Sequence, residues 1–152
     1  MSYVDKVLQP GERVKAHATI HWVTYLNGLI ALAIAAVIFI AARPAPKFAL
    51  AVDIAALMPA ALGVMLILRA WFHQWGTEIA VTDHRVIYKS GVISRRTVEM
   101  HVDQIESVEV KQSVAGRILG YGDLVVHGSG EGSETIRLIA DPLAVRSAIT
   151  AR

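Results

Sequence analysis

Residues 21–68 read HWVTYLNGLIALAIAAVIFIAA, then RPAPK at 43–47, then FALAVDIAALMPAALGVMLIL. The first run, His21–Ala42, has 22 residues and no Asp, Glu, Lys or Arg. About 20 apolar residues at 1.5 Å rise each cross a ~30 Å hydrocarbon core, so this run is long enough to span a bilayer. The second run, Phe48–Leu68, has 21 residues interrupted only by Asp53. Pro44 and Pro46 between them cannot continue a helix. The pattern predicts a two-helix transmembrane hairpin over residues 21–75. A cleaved signal peptide fits the first run poorly, because the apolar stretch is too long and starts some twenty residues into the chain.

The rest of the chain is polar by contrast. Over all 152 residues, 54% are hydrophobic and 18% charged, and mean hydropathy is +0.46. Residues 16–75 hold four charges, and residues 76–152 hold nineteen. Intrinsic disorder is excluded. The sequence pI of 9.1 belongs to the hairpin's flanks and turn: residues 1–15 sum to +1, 16–75 to +2 and 76–152 to −1. A nucleic-acid-binding domain carries a basic face of its own, so nucleic acid is not expected as a partner. The absence of cysteine excludes disulfides, thiolate catalysis and Cys-based metal centres.

Lys and Arg set the predicted orientation. Residues 1–20 carry three and Arg69 and Arg85 follow the second span, against Arg43 and Lys47 in the turn. That bias places both termini in the cytoplasm. Trp22 and Tyr25 open the first helix and Trp71, Phe72 and Trp75 close the second, as residues of one headgroup layer do. Small residues form two stripes, Gly28, Ala31 and Ala35 on the first helix and Asp53, Ala56, Ala60 and Gly63 on the second. Such stripes let helix backbones approach and are expected to serve helix packing or a homo-oligomer interface. Antiparallel pairing sets Asn27 near the depth of Gly63. Asp53, the one ionisable group inside a span, costs roughly 2.5–3.5 kcal/mol at mid-membrane. It lies only six residues from Lys47, so a structural or interface role is favoured over transport or proton relay.

After Gly76 the period changes to two. Thr77–Val81, Arg85–Ser90, Ile93–Val102, Ser107–Lys111, Asp123–His127 and Thr135–Ile139 read as strands with one apolar and one polar face. A sheet covering a single core, with its other side wet, is the expectation. Asp141-Pro142 reads as a helix cap and first position, with Leu143, Val145, Ala148 and Ile149 on the apolar face. Ala115–Leu119 forms at most one short turn.

Three stretches carry a family resemblance. Thr82-Asp83-His84-Arg85-Val86-Ile87-Tyr88-Lys89-Ser90-Gly91-Val92-Ile93-Ser94-Arg95-Arg96-Thr97 resembles the first half of the bacterial pleckstrin-homology (PH)-like domains of the YdbS/YdbT type. Gln112-Ser113-Val114-Ala115-Gly116-Arg117-Ile118-Leu119-Gly120-Tyr121-Gly122-Asp123 is similar to their most distinctive stretch. Leu8-Gln9-Pro10-Gly11-Glu12-Arg13-Val14, with His21-Trp22, is similar to the family's N-terminal portion. The resemblance implies an α+β membrane protein: a two-helix transmembrane hairpin followed by a PH-like antiparallel split β-barrel capped by a C-terminal helix. The implied divisions are an N-terminal segment 1–20, the hairpin 21–75 and a PH-like domain 76–152, on the cytoplasmic side of a bacterial inner membrane. It transfers no catalytic residue and no cofactor.

Other motifs are weak. His17 and His21 are four apart, but two ligands do not complete a metal site. His101 and Asp103 lack a nucleophile at a diagnostic spacing. The Gly128–Ser133 run lacks a Gly-Lys-Ser/Thr ending and leads into a strand, so it reads as a hairpin loop. Gly120 and Gly122 read as positive-φ turn residues. Lys89, Arg95 and Arg96 cluster around one hairpin and could meet anionic headgroups. The expected protein is a non-enzymatic, membrane-anchored interaction or scaffold module. Its expected partners are membrane lipids, further copies of itself and another membrane protein. An anionic-lipid headgroup module is the alternative, and an Asp53-based transporter or enzyme ranks third.

Overall fold

The computed structural model describes residues 3–41, 49–92, 94–129 and 132–151. The proline turn at 43–47, Ile93 and the centre of the Gly-Ser run at 130–131 lie outside them. The chain forms two compact units, Trp22–Phe72 and the residues on either side of it.

The helical unit opens with a 3-10 turn, Trp22–Tyr25. Two α-helices follow, α2 (Leu26–Ala41) and α3 (Ala49–Gly76), the latter running through Pro59. Both are long and apolar enough to cross a membrane. They pack through Gly28, Ala31 and Ala35 of α2 and Ala56 and Gly63 of α3, all buried. The backbones come closest at two glycines. A Cβ on Gly28 would sit 2.6 Å from Ile67 Cγ1 and 3.0 Å from the Gly63 carbonyl. A Cβ on Gly63 would sit 2.8 Å from Leu32 Cγ and 3.0 Å from the Gly28 carbonyl. Gly28, one residue beyond the expected Asn27, is therefore the partner of Gly63.

The other unit is built on seven strands. β1 (Val14–Ala18), β2 (Glu78–Thr82), β3 (Arg85–Ser90) and β4 (Arg96–His101) form one antiparallel sheet in that order. β5 (Ile105–Lys111), β6 (Tyr121–Gly128) and β7 (Ser133–Ala140) form the second. β1 pairs with β2 although both apolar helices lie between them in sequence: Val14 faces Thr82 and Ala18 faces Ile79. Beyond β1 the chain crosses to the second sheet. Ile20 bridges Ile139, the His21 N–H donates to the Leu138 carbonyl at 2.7 Å, and the Ala140 N–H donates to the Thr19 carbonyl at 3.0 Å. This joint closes one side of a barrel. Across the other side, β4 and β5 are the outer strands of their sheets, linked by a 3-10 turn at Val102–Gln104.

Inward-facing Ile79, Val81, Leu124, Ile136 and Ile139 fill the core. The C-terminal helix α5 (Pro142–Thr150) covers it with Val145 and Ile149. Asp141 caps α5 through Oδ1, which accepts from the Ala144 N–H at 3.3 Å. The short turn expected near residue 115 is a helix, α4 (Val114–Leu119), capped by the Ser113 hydroxyl on the Gly116 N–H at 3.0 Å.

Three expectations change here. β1 lies in the N-terminal segment 1–20, where no strand is expected, yet its Val-Lys-Ala-His-Ala alternation makes it a strand, with the side chains of Val14, Ala16 and Ala18 less exposed than those of Lys15 and His17. The outer face of the first sheet is not wet: Ala80 and Ile87, opposite one another and pointing away from the core, are fully buried. Gly120 has the expected positive φ of 76°, whereas Gly122 answers to close approach, since a Cβ there would meet Gln112 Cγ at 2.6 Å and the Lys111 carbonyl at 2.9 Å.

The glycine contact gives a first prediction. Gly28→Ile or Gly63→Ile should lower the thermal midpoint of the full chain in detergent, at an overpacking cost of about 1–3 kcal/mol. Ala61→Ile, on an exposed face of α3, should leave the midpoint unchanged.

Candidate functional site

The most elaborate polar arrangement lies on that covered outer face. β2 presents Glu78, Ala80 and Thr82, β3 presents Arg85, Ile87 and Lys89, and β4 presents Glu99, because alternate residues of a strand share a face. Residues 3–13, beginning with helix α1 (Tyr3–Val7), lie across it as a strap. At one end Glu78 Oε2 accepts from the Tyr3 N–H at 2.7 Å, while Glu78 Oε1 accepts from Lys89 Nζ at 2.9 Å. The Lys89 ammonium also sits 5.1 Å from the Tyr3 ring centroid. In the middle, Val4 is only 1% exposed.

At the other end Arg85 grips Glu12 with two parallel bonds, Nε to Oε1 at 3.0 Å and Nη2 to Oε2 at 2.9 Å. Its remaining donors reach Glu99 Oε2 at 2.7 Å and the Val7 carbonyl at 2.8 Å. The Thr82 hydroxyl donates to Glu12 Oε1 at 2.7 Å and accepts from the Arg85 N–H at 3.0 Å. The Arg85 and Glu12 side chains are 8% and 3% exposed. The Arg85 hydrogen bonds hold the Glu12 carboxyl down at about 2, against the opposing pull of burial, and Glu12 in turn raises Arg85. The half-buried Asp83 carboxyl is lowered by His84, whose Nδ1 is 2.8 Å away, and by the Arg13 N–H at 3.0 Å.

The three basic residues singled out in the sequence are not equivalent. Lys89 is 14% exposed and committed to Glu78. Arg96 is exposed and pairs with Glu134 at 2.9 Å. Arg95 is exposed on the β3–β4 loop. That loop packs against the end of α3, because a Cβ on Gly76 would stand 2.6 Å from Val92 Cγ2. In the helical unit, Gly28, Ala31, Ala35, Ala56 and Gly63 are buried in the seam, Ala60 is half-buried and Asp53 is exposed. Asp53 lines a cleft of about 420 Å³ with Ala35, Ala36, Phe39, Ala56, Leu57 and Ala60.

The histidines do not form one site. His17 is on a strand, so its spacing to His21 is not helical, and the His21 ring lies 5.3 Å from that of Tyr121. His84, His101, Asp83, Asp103 and Lys15 line a second cleft of about 350 Å³. Among the described residues no group of three His, Asp or Glu side chains could hold a metal ion.

Residues 18–152 match the bacterial PH domain family. The chain belongs to that family. No curated protein and no solved structure matches it. One four-stranded and one three-stranded antiparallel sheet, with a terminal helix over the core, agree with the PH-like fold. Membership points to an interaction module rather than an enzyme.

The PH fold also explains why separate stretches carried the resemblance. Leu8–Val14 and Thr82–Arg85 are the two halves of one contact: Glu12 meets Thr82 and Arg85, and the Arg13 and Asp83 backbones join through Asp83 N–H to the Arg13 carbonyl at 3.1 Å. Gly11, at φ 93°, makes the turn that delivers Glu12. Sequence reading missed Glu12 and Arg85 as a pair. A signal was present, since an Arg at the start of an apolar strand demands a partner once buried.

Because the folded-state pKa of Glu12 lies below its unfolded value, the stability it confers is complete above about pH 4.5 and disappears as pH falls toward about 2. Glu12→Gln should flatten this acid limb in unfolding measured across pH. Arg85→Ala, which strands two carboxylates, should cost about 3–5 kcal/mol at neutral pH.

Proposed function

We propose that this bacterial PH protein is a non-enzymatic interaction module, anchored by its hairpin in the cytoplasmic membrane with both termini inside. One observation carries the anchoring. Only 17% and 11% of the apolar windows of the two helices is buried. Large side chains such as Ile34, Val37, Leu50, Ile54, Leu57 and Met58 point outward. A core helix of a water-soluble protein is mostly covered, and an uncovered apolar surface this large suits lipid as its solvent. The Lys and Arg bias supports the orientation. Self-association or docking of another membrane protein draws on β4 and β5, sheet-edge strands with backbone groups to offer an added strand.

Single-cysteine variants in intact bacterial cells test the reading. Ala45→Cys in the turn should react with a membrane-impermeant maleimide, and Ser133→Cys should react only after permeabilisation. The opposite pattern, or labelling of both, overturns the topology. The full chain in nanodiscs should run as more than one copy, and a single-copy mass removes self-association.

A second reading, recognition of anionic headgroups, has the packing of the β3–β4 loop against Gly76 in its favour. That contact brings Arg95 and Arg96 to the place where the chain leaves its second apolar helix. Near a charged surface each basic residue contributes about 1 kcal/mol. Native mass spectrometry of the full chain should show phosphatidylglycerol retained, and retained several-fold less by the Arg95→Gln/Arg96→Gln variant. Equal retention removes this reading.

A further inference from the structure

The unit that holds the two sheets carries an exposed apolar surface of its own. On α4, Val114 is 77% exposed and Ile118 is 80% exposed, as bare as Leu50 and Met58 in the hairpin. At about 100° per residue, Val114 and Ile118 stand roughly 40° apart and each roughly 160° from Gly116. Gly116 is the buried contact of α4: a Cβ there would lie 2.6 Å from the Tyr121 carbonyl. The helix thus presses its one glycine onto the barrel and turns its branched side chains outward. Leu119 and, on the first turn of α5, Leu143 are exposed as well. They are tied together through the Asp141 N–H, which donates to the Gly120 carbonyl at 2.9 Å.

The location of this surface names its occupant. The first apolar span, Trp22–Ala41, is 20 residues long. That length suffices for the hydrocarbon core, so the residue before it lies in the membrane's interfacial layer. His21 is that residue, and its ring lies 5.3 Å from the ring of Tyr121. Tyr121 in turn supports α4 from beneath. An amphipathic helix at a membrane surface sinks its apolar face ~5–10 Å into the headgroup–acyl boundary, a depth within reach of that position.

We propose that α4 and the first turn of α5 form a platform that lies in the bilayer interface, with Val114, Ile118, Leu119 and Leu143 among the acyl chains. Arg117, roughly 60° from Val114 around the helix, reaches outward to lipid phosphates while its stem lies along the apolar surface. The occupant is the bilayer surface, not a protein. The platform gives the PH unit a fixed contact with the membrane besides its two covalent links. This inference rests on the spanning reading of the hairpin.

The chain has no native cysteine, so single-cysteine variants of the full protein carry a polarity-sensitive fluorophore at chosen sites. Three are reconstituted in phosphatidylcholine/phosphatidylglycerol vesicles: Ile118→Cys on the platform, Val37→Cys in the span and His84→Cys at the β2–β3 turn. His84 has a 68% exposed side chain and lies at the far end of β2 from Gly76. The label at 118 should shift to the blue and be quenched several-fold by a lipid carrying a shallow nitroxide. The label at 84 should respond only to aqueous iodide. Val114→Cys repeats the measurement should the label at 118 disturb the fold. Iodide quenching at 118 equal to that at 84 overturns the platform. Shielding from both quenchers, relieved by diluting the protein in lipid, also overturns it and assigns the surface to a second copy of the chain. If 37 is quenched by lipid and 118 is not, the platform alone fails. If 37 is not quenched by lipid, the spanning reading fails and the platform with it.

Discussion

Everything in the PH unit depends on pairing β1 with β2 across the helical insertion. Antiparallel neighbours are usually joined by a few residues, but here β1 ends at Ala18 and β2 begins at Glu78. The closure is tolerable for two physical reasons. Loop-closure entropy rises only by about 0.6 kcal/mol for each doubling of length. The intervening chain is also not a free loop: antiparallel helices meeting at Gly28 and Gly63 return it toward its start. Gln74 then fastens the exit to the departure point, its Nε2 donating to the Ile20 carbonyl at 3.0 Å. Once β1 is seated, its extension through Ile20 and His21 joins the second sheet at Leu138–Ala140, and the barrel closes on that side. Leu138 adopts a φ of 55° at this joint, a strain of about 1–2 kcal/mol that the surrounding bonds must offset.

The N-terminal strap resolves a consequence of that arrangement. Ala80 and Ile87 would leave an apolar strip on the outer sheet face, and Val4 covers it. Either end of the strip is fixed by charge, Glu78 with Lys89 and Glu12 with Arg85. Burial of an unpaired guanidinium would be costly, so Arg85 is bonded by Glu12, Glu99 and the Val7 carbonyl together. The same network that holds the strap limits what Lys89 can do elsewhere.

Legibility in the sequence followed the range of the interaction. The six strands after Gly76 were readable because alternation is local, although β5, β6 and β7 each run one or two residues further than their apolar cores indicate. Asp141-Pro142 announced α5, and Ser113 with Gly120 announced α4 only once the cap bonds were seen. β1 was hidden because Ala16–Ala42 lacks Asp, Glu, Lys and Arg throughout, so the strand and the span beyond it merge into one stretch by composition. The small-residue stripes were legible as residues, but their partner was not: the same glycines could face a neighbouring chain, and it is Gly63 that Gly28 meets.

By itself the sequence determined what depends on spacing and composition. Two apolar runs of bilayer length, a period-two polar half and a capped terminal helix are each encoded within short windows, where side-chain transfer energies and backbone periodicity act locally. Only the tertiary structure decided that residues 3–21 complete the PH unit. Glu12 reaches Arg85 across 73 positions, and His21 reaches Tyr121 across 100. Neither pair leaves a periodic trace, because the partners are brought together by the sheet and by the hairpin that returns the chain to it.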